Sequence, residues 1–350
     1  MINSIFNFLN FHPVVNCRAC TFDKTLTVPV MYYEIFIALA TIVLLGLMIW
    51  KKKSLFHFFL MFIGVIIFET FTGPLWLNQH LGNFAYLYHG VSWVLSLGLT
   101  TMTYSVVWFV DSVWPKIKDC YRFFVYLGFL WPIMYFVERF VIDLDIRSYV
   151  PEVLLVVKSN SLPLINVSWQ AMMYLPVFFA LIIAFYKYLA FVLLDKKNIL
   201  PINKANVIRN IIITFIGVFL FEIMIDPLVV NANLPSWSYF YRDVSIFLTG
   251  GWVIIIWLAI FLIDKFFINR SFFYRFIGYV LTITIITAPI EAWLIRNNYR
   301  IYGESASQGF SGLLFPLLNI PIEVVFAIPF YLALVVAFVR YWQVVLENNN

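Results

Sequence analysis

Residues 221–239 read FEIMIDPLVVNANLPSWSY, and residues 68–86 read FETFTGPLWLNQHLGNFAY. Each stretch places a glutamate (Glu222, Glu69) at the end of an apolar run, breaks it with a proline (Pro227, Pro74) and closes on a tyrosine (Tyr239, Tyr86). The offset of 153 positions holds without a gap from residues 57–197 onto residues 210–350. Identities of Phe or Leu carry little weight in so apolar a chain. The polar and conformational ones decide: Gly64/Gly217, Asn78/Asn231, Ser92/Ser245, Gly98/Gly251, Asp111/Asp264, Arg122/Arg275, Glu138/Glu291, Tyr149/Tyr302 and Pro176/Pro329. Self-similarity at one fixed period marks a duplicated unit.

Composition names the solvent of that unit. The chain is 63% hydrophobic and 12% charged, against roughly 25% charged in soluble domains. No aqueous core absorbs so much apolar surface, and in lipid a helix satisfies every backbone group internally. Apolar runs bounded by charges, Pro or Asn predict nine spans, near residues 31–50, 56–76, 90–110, 121–141, 164–194, 208–230, 243–263, 273–294 and 312–341. The fifth and ninth exceed a bilayer's needs, which predicts tilting or bending near Pro176 and Pro329. The expected fold is therefore an all-α polytopic bundle: an N-terminal segment and first helix (1–55), then four-span repeats at 56–200 and 201–350. Four is even, so both repeats run the same way through the bilayer and relate by an axis along its normal.

Basic residues set the direction. Lys51–Lys53, Lys116, Lys118, Lys196, Lys197, Lys204, Lys265 and Arg270 crowd one set of loops, and the sparser set holds Arg18, Lys24, Arg147, Lys158, Arg242, Arg296 and Arg300. The first set is expected in the cytoplasm, with the N-terminus outside and the C-terminus inside a bacterial inner membrane. The N-terminus lacks a basic start and a small-residue cleavage site, so it is expected to be retained. Three cysteines make no disulfide framework, and Cys17 and Cys20 lack the further ligands of a zinc site. No metal, cofactor or nucleic-acid partner is expected: GxGxxG, P-loop, HExxH and nucleophile-elbow motifs are absent, and the lysine clusters are ordinary cytoplasmic anchors. His80 and His89 flank a loop within reach of Glu69, where interfacial histidines are mostly incidental.

A carboxylate inside a span costs about 2.5–3.5 kcal/mol on insertion scales, and its first reading is functional. Glu69, Glu138, Glu222 and Glu291 fall toward the outer ends of the second, fourth, sixth and eighth spans. Asp226 lies one turn beyond Glu222, and Glu323, whose counterpart is Gln170, lies in the outer part of the ninth span. Tyr86, Trp237, Tyr239 and Tyr302 stand around them, with Trp76, Trp169 and Trp293. Two bland explanations compete: Trp and Tyr belt ordinary membrane interfaces, and an acid near a span end can reach headgroups. Asp111 and Asp264, beside basic loops, read as structural ion pairs.

A carboxyl in apolar surroundings holds its proton and can act as a general acid toward a lipid-dissolved double bond. Aromatic faces stabilise the resulting cation by ~0.5–2 kcal/mol each. The same acids serve a proton-coupled transporter or lipid-handling protein, or a scaffold in which they pair with Arg139, Arg242 or Arg296.

The chain resembles the membrane-embedded carotenoid enzymes, namely the lycopene cyclases of the bacterial heterodimeric and fungal kind and the related carotenoid hydratases. The likeness rests on Glu69 with Thr72-Gly73 and Gly82-Asn83-Phe84-Ala85-Tyr86, on Glu222 through Asp226-Pro227 with Trp237-Ser238-Tyr239 and Gly251-Trp252, and on Pro321-Ile322-Glu323. Val324 stands where the cyclase motif has its second glutamate. The resemblance implies a polyene substrate, no cofactor and no redox change. It also implies acid catalysis, for which Glu222, Asp226 and Glu69 are the first candidates and Glu291 and Glu323 the next. Tyr86, Trp237, Tyr239, Tyr302 and Glu138 would line the substrate cavity.

Overall fold

The computed structural model describes residues 23–88, 90–150, 153–154, 169–195 and 206–347. Among the described residues, nine helices are long and apolar enough to cross a membrane. They are α1 (Val28–Trp50), α2 (Phe56–Thr72), α3 (Trp93–Val113), α4 (Asp119–Asp143), α5 (Trp169–Leu193), α6 (Val207–Ile225), α7 (Ile246–Phe266), α8 (Phe272–Arg296) and α9 (Ile322–Glu347). Large apolar side chains on their outward faces stay exposed, such as Tyr32, Phe36 and Ile42 on α1 and Ile208 on α6. Apolar exposure on this scale fits lipid, and the chain reads as an integral membrane protein.

Prolines set the helix ends that the apolar runs alone misplace. The sixth helix stops at Ile225 rather than near residue 230, because Pro227 has no N–H to continue the ladder. Residues 229–231 turn into a strand instead. The ninth helix starts at Ile322, ten residues later than expected. Pro316 and Pro321 interrupt the run, Asn319 takes a left-handed φ of 53°, and Leu314 bridges Pro321. Pro176 and Pro329 lie inside α5 and α9. Residues 155–168, with the expected start of the fifth span, lie outside the described residues, as do Cys17, Cys20 and His89.

Each unit also carries short strands between its helices. β1 (Trp76–Asn78) pairs antiparallel with β4 (Arg147–Tyr149), and β2 (Tyr86–Tyr88) with β3 (Val91–Ser92). β5 (Val229–Asn231) pairs with β8 (Arg300–Tyr302), and β6 (Tyr239–Tyr241) with β7 (Val244–Ser245). The registers agree residue by residue at the sequence offset: Asn78 faces Arg147 and Asn231 faces Arg300, while Tyr86 faces Ser92 and Tyr239 faces Ser245. Left-handed residues also coincide, at His80 and Asn233 and at Asp145 and Asn298. Ser92 and Ser245 each cap the helix that follows, accepting from Leu95 N–H and Phe247 N–H.

Contacts divide the chain into two compact units, one of Phe22–Lys197 with the chain end from Arg340, the other of Asn198–Val339. In the first, α1 packs on α3, and α2 and α4 each pack on α3 and α5. In the second, α7 packs on both α6 and α8. Two glycines mark the closest helix approaches. A Cβ on Gly64 would lie 3.0 Å from the Phe185 ring, and one on Gly217 would lie 3.0 Å from the Phe338 ring. Both rings are buried and cannot swing away. Gly64→Val and Gly217→Val should each destabilise the protein by about 1–3 kcal/mol through overpacking, read as a lower melting temperature in detergent. Gly128→Ala, with nothing near its Cβ position, should not lower the melting temperature, and its better helix propensity should raise it slightly.

Candidate functional site

At the strand end of the first unit, Arg147 on β4 is buried. Its Nη1 donates to Glu138 Oε2 on α4 at 3.0 Å, and its Nε donates to Asn78 Oδ1 on β1 at 3.0 Å. The guanidinium lies 4.7 Å above the Trp76 ring. Tyr149, two residues along the strand, donates its hydroxyl to Glu138 Oε1 at 2.9 Å. Asn78 in turn donates through Nδ2 to Gly90 O at 2.7 Å, and its carbonyl accepts the Tyr86 hydroxyl at 3.0 Å. One asparagine therefore ties the arginine, the strand and the loop together. Glu69, on α2 and 2% exposed, takes its hydrogen bond from the Ser96 hydroxyl on α3.

The second unit repeats this construction. Glu222 is 4% exposed and accepts from the Thr249 hydroxyl, Thr249 standing where the first unit has Ser96. Glu291 Oε1 accepts the Tyr302 hydroxyl at 2.9 Å and lies 3.4 Å from Arg300 Nε. Asn231 donates to Asp243 O at 2.8 Å, and its carbonyl accepts the Tyr239 hydroxyl at 3.0 Å. Burial, with Glu138 or Glu291 beside it, holds the phenols of Tyr149 and Tyr302 well above the usual tyrosine range, so both remain donors. Tyr331 stacks on Phe221 at 4.5 Å, in the place where Phe178 meets Phe68 in the first unit.

The sequence candidates divide accordingly. Glu69 and Glu138 come together in the first unit, as do Glu222 and Glu291 in the second. Asp226 ion-pairs with Arg242 at 3.1 Å and accepts from Asp243 N–H, which is one of the three arginine pairings expected of a scaffold. The other two arginines go elsewhere, Arg139 to Asp143 and Arg296 to Leu318 O. Glu323 accepts from Ser311 N–H at 2.6 Å in the turn before α9. Tyr86, Tyr239 and Tyr302 serve the network through their hydroxyls, whereas Trp237 is 72% exposed and stacks edge-on against Phe247. His80 sits between Asp23 and Asp145 rather than beside Glu69. Asp111 pairs with Lys187 and Arg122, and Asp264 with Arg275, each also taking a tyrosine hydroxyl from Tyr126 or Tyr279.

Arg147 and Arg300 are the residues that the sequence reading missed. Counted as loop charges, they are 8% and 5% exposed. Their recurrence at the same offset, two residues before Tyr149 and Tyr302, is the signal that marks them.

No family model, curated protein or solved structure matches the chain. The site is therefore read from its own geometry. Each set offers two carboxyls and one arginine in apolar surroundings. The arginine and the neighbouring tyrosine bond or pair with Glu138 or Glu291, and among the described residues the other carboxyl accepts from a hydroxyl. Removing the arginine strands its carboxylate. Arg147→Met and Arg300→Met should each cost about 3–5 kcal/mol of stability, seen as a lower melting temperature, with partial recovery in the double variants Arg147→Met/Glu138→Gln and Arg300→Met/Glu291→Gln.

Proposed function

We propose that this chain is a duplicated, cofactor-free membrane enzyme acting by acid catalysis on a lipid-dissolved isoprenoid polyene, by cyclisation or hydration. The observation that carries the reading is charge balance at Glu69 and Glu222. Two ionised carboxylates against one buried arginine leave an uncompensated charge in an apolar bundle, an arrangement that costs several kcal/mol. A single proton on the pair removes it. The carboxyl with no direct arginine bond is the one to keep that proton, and Tyr331 lies within electrostatic reach of Glu222.

Such a group can protonate a double bond, and the Tyr331 and Phe221 faces can stabilise the cation. Duplication is supported by the matched strand registers, the left-handed residues at matching positions and the matched Glu69–Ser96 and Glu222–Thr249 contacts. The excess of Lys and Arg in the loops at Lys51–Lys53, Lys116 and Lys118 supports a cytoplasmic location for that end, in a bacterial inner membrane with the C-terminus inside. Within this reading Glu222 and Glu69 are acids, and Glu138 and Glu291 position the arginines.

One observation favours a proton-coupled transporter instead. The first unit carries a second ionisable cluster at its opposite end, where Lys187 Nζ lies 2.5 Å from Asp111 Oδ2 and Tyr126 joins them. Co-expression with genes that make acyclic carotenoids separates the readings. The enzyme should convert the pigment, and Glu222→Gln should stay folded while lowering conversion at least about 100-fold, the scale of a lost general acid. A pigment profile unchanged by the wild-type chain, together with proton uptake into proteoliposomes that Glu222→Gln abolishes, would select transport.

A further inference from the structure

The two arginine networks match in residues but differ in closure. In the first unit Arg147 Nε bonds Asn78 Oδ1, and the Glu138–Arg147–Asn78–Gly90 chain is continuous. In the second unit the equivalent bond is not made. Asn231 Oδ1, Arg300 Nε and Glu222 Oε1 have no hydrogen-bond partner among the described residues, although Arg300 Nε keeps its ion pair with Glu291 Oε1 at 3.4 Å. The side chains that carry them are all more than nine-tenths buried, at 5%, 5% and 4% exposure. Asn231 and Arg300 face each other across the β5–β8 pair, and Glu222 and Arg300 lie within electrostatic reach. A buried polar atom without a hydrogen bond is costly, and neighbouring ones are seldom left so in native proteins.

Their chemistry specifies the partner. Two are oxygens and one is an N–H. A water offers two donors and two acceptors, so it can accept from Arg300 Nε–H, donate to Asn231 Oδ1 and bond Glu222 Oε1 whether or not that carboxyl is protonated. An alcohol, with one proton to give, meets all three only when Glu222 is protonated. A cation is disfavoured by the guanidinium, and an anion by Glu222 and the Asn231 oxygen.

We propose that the second unit holds one water between Glu222, Asn231 and Arg300, and that this water is the nucleophile of a hydration. Its use rests on the acid-catalysis reading above; its presence does not. Glu222 gives its proton to one carbon of a double bond, forming the C–H bond from the π pair and leaving a cation on the other carbon. The water's lone pair closes the C–O bond, and the proton it sheds returns to the Glu222 carboxylate. The balance is alkene plus water to alcohol, with no oxidant. In the first unit Arg147 Nε already bonds Asn78 Oδ1, which leaves no such place for a water there. The polyene is thus hydrated rather than cyclised, with Glu222 as the acid that works beside the water.

The test has two arms. A cryo-EM map of the full chain in nanodiscs, fine enough to show ordered water, should show density bonded to Glu222, Asn231 and Arg300 and none between Asn78 and Arg147. Arg300 Nε bonded directly to Asn231 Oδ1, with no density between, overturns the site. In cells making acyclic carotenoids, the product should be heavier by one water and carry labelled oxygen from the medium. Asn231→Leu, checked as folded by size-exclusion chromatography, should lower its yield at least about tenfold, as expected for one lost positioning bond. A product of unchanged mass, with the density in place, makes the water structural and overturns its role as nucleophile. An unchanged pigment profile overturns the acid reading and the nucleophile with it, while the density still decides the site.

Discussion

Two arginines carried into an apolar helix bundle are the constraint from which the rest of the structure follows. A guanidinium has five donors and cannot shed its charge. Arg147 therefore requires Glu138 for its charge, Asn78 for its Nε and Trp76 for its face. Those needs fix the register of β1 against β4, and Asn78 passes the constraint to the loop through Gly90. Arg300 imposes the same register on β5 and β8. The Gly73-Pro74 and Asp226-Pro227 breaks make this possible, because a helix running on would carry Asn78 and Asn231 away from the arginines.

Helices were legible in the sequence because their signal is local and long. Every expected span has a helix, and the misplaced ends fall where proline chemistry overrides hydropathy, at Ile225 and Ile322. The strands were not legible. Three residues such as Arg147–Tyr149 carry no periodicity, and what pairs them is a partner nearly seventy residues away. The recurrence of residues at an offset of 153 positions supplied what periodicity could not. It singled out Glu69, Glu138, Glu222, Glu291 and Tyr302 before any contact was seen.

The candidate site was legible by acid and not by base. Intramembrane carboxylates attract notice because each is costly alone, whereas an arginine just beyond a span end looks like a loop charge. In the folded chain the acids differ from one another in ways that sequence does not show. Asp226 is matched by Arg242, Glu291 by Arg300 and Tyr302, and Glu323 by a backbone N–H. Among the described residues, Glu69 and Glu222 each accept a hydrogen bond from a hydroxyl. The difference is one of neighbours, and the proposed acid role rests on it.

The central claim is that each site holds two carboxyls, one arginine and one proton. Infrared difference spectroscopy of the purified protein at neutral pH tests it most directly, through the carbonyl stretch of a protonated carboxyl. That band should be present in the wild-type chain, weakened in Glu69→Gln and in Glu222→Gln, and gone in the double variant. A spectrum without the band, or one that both substitutions leave unchanged, would contradict the account.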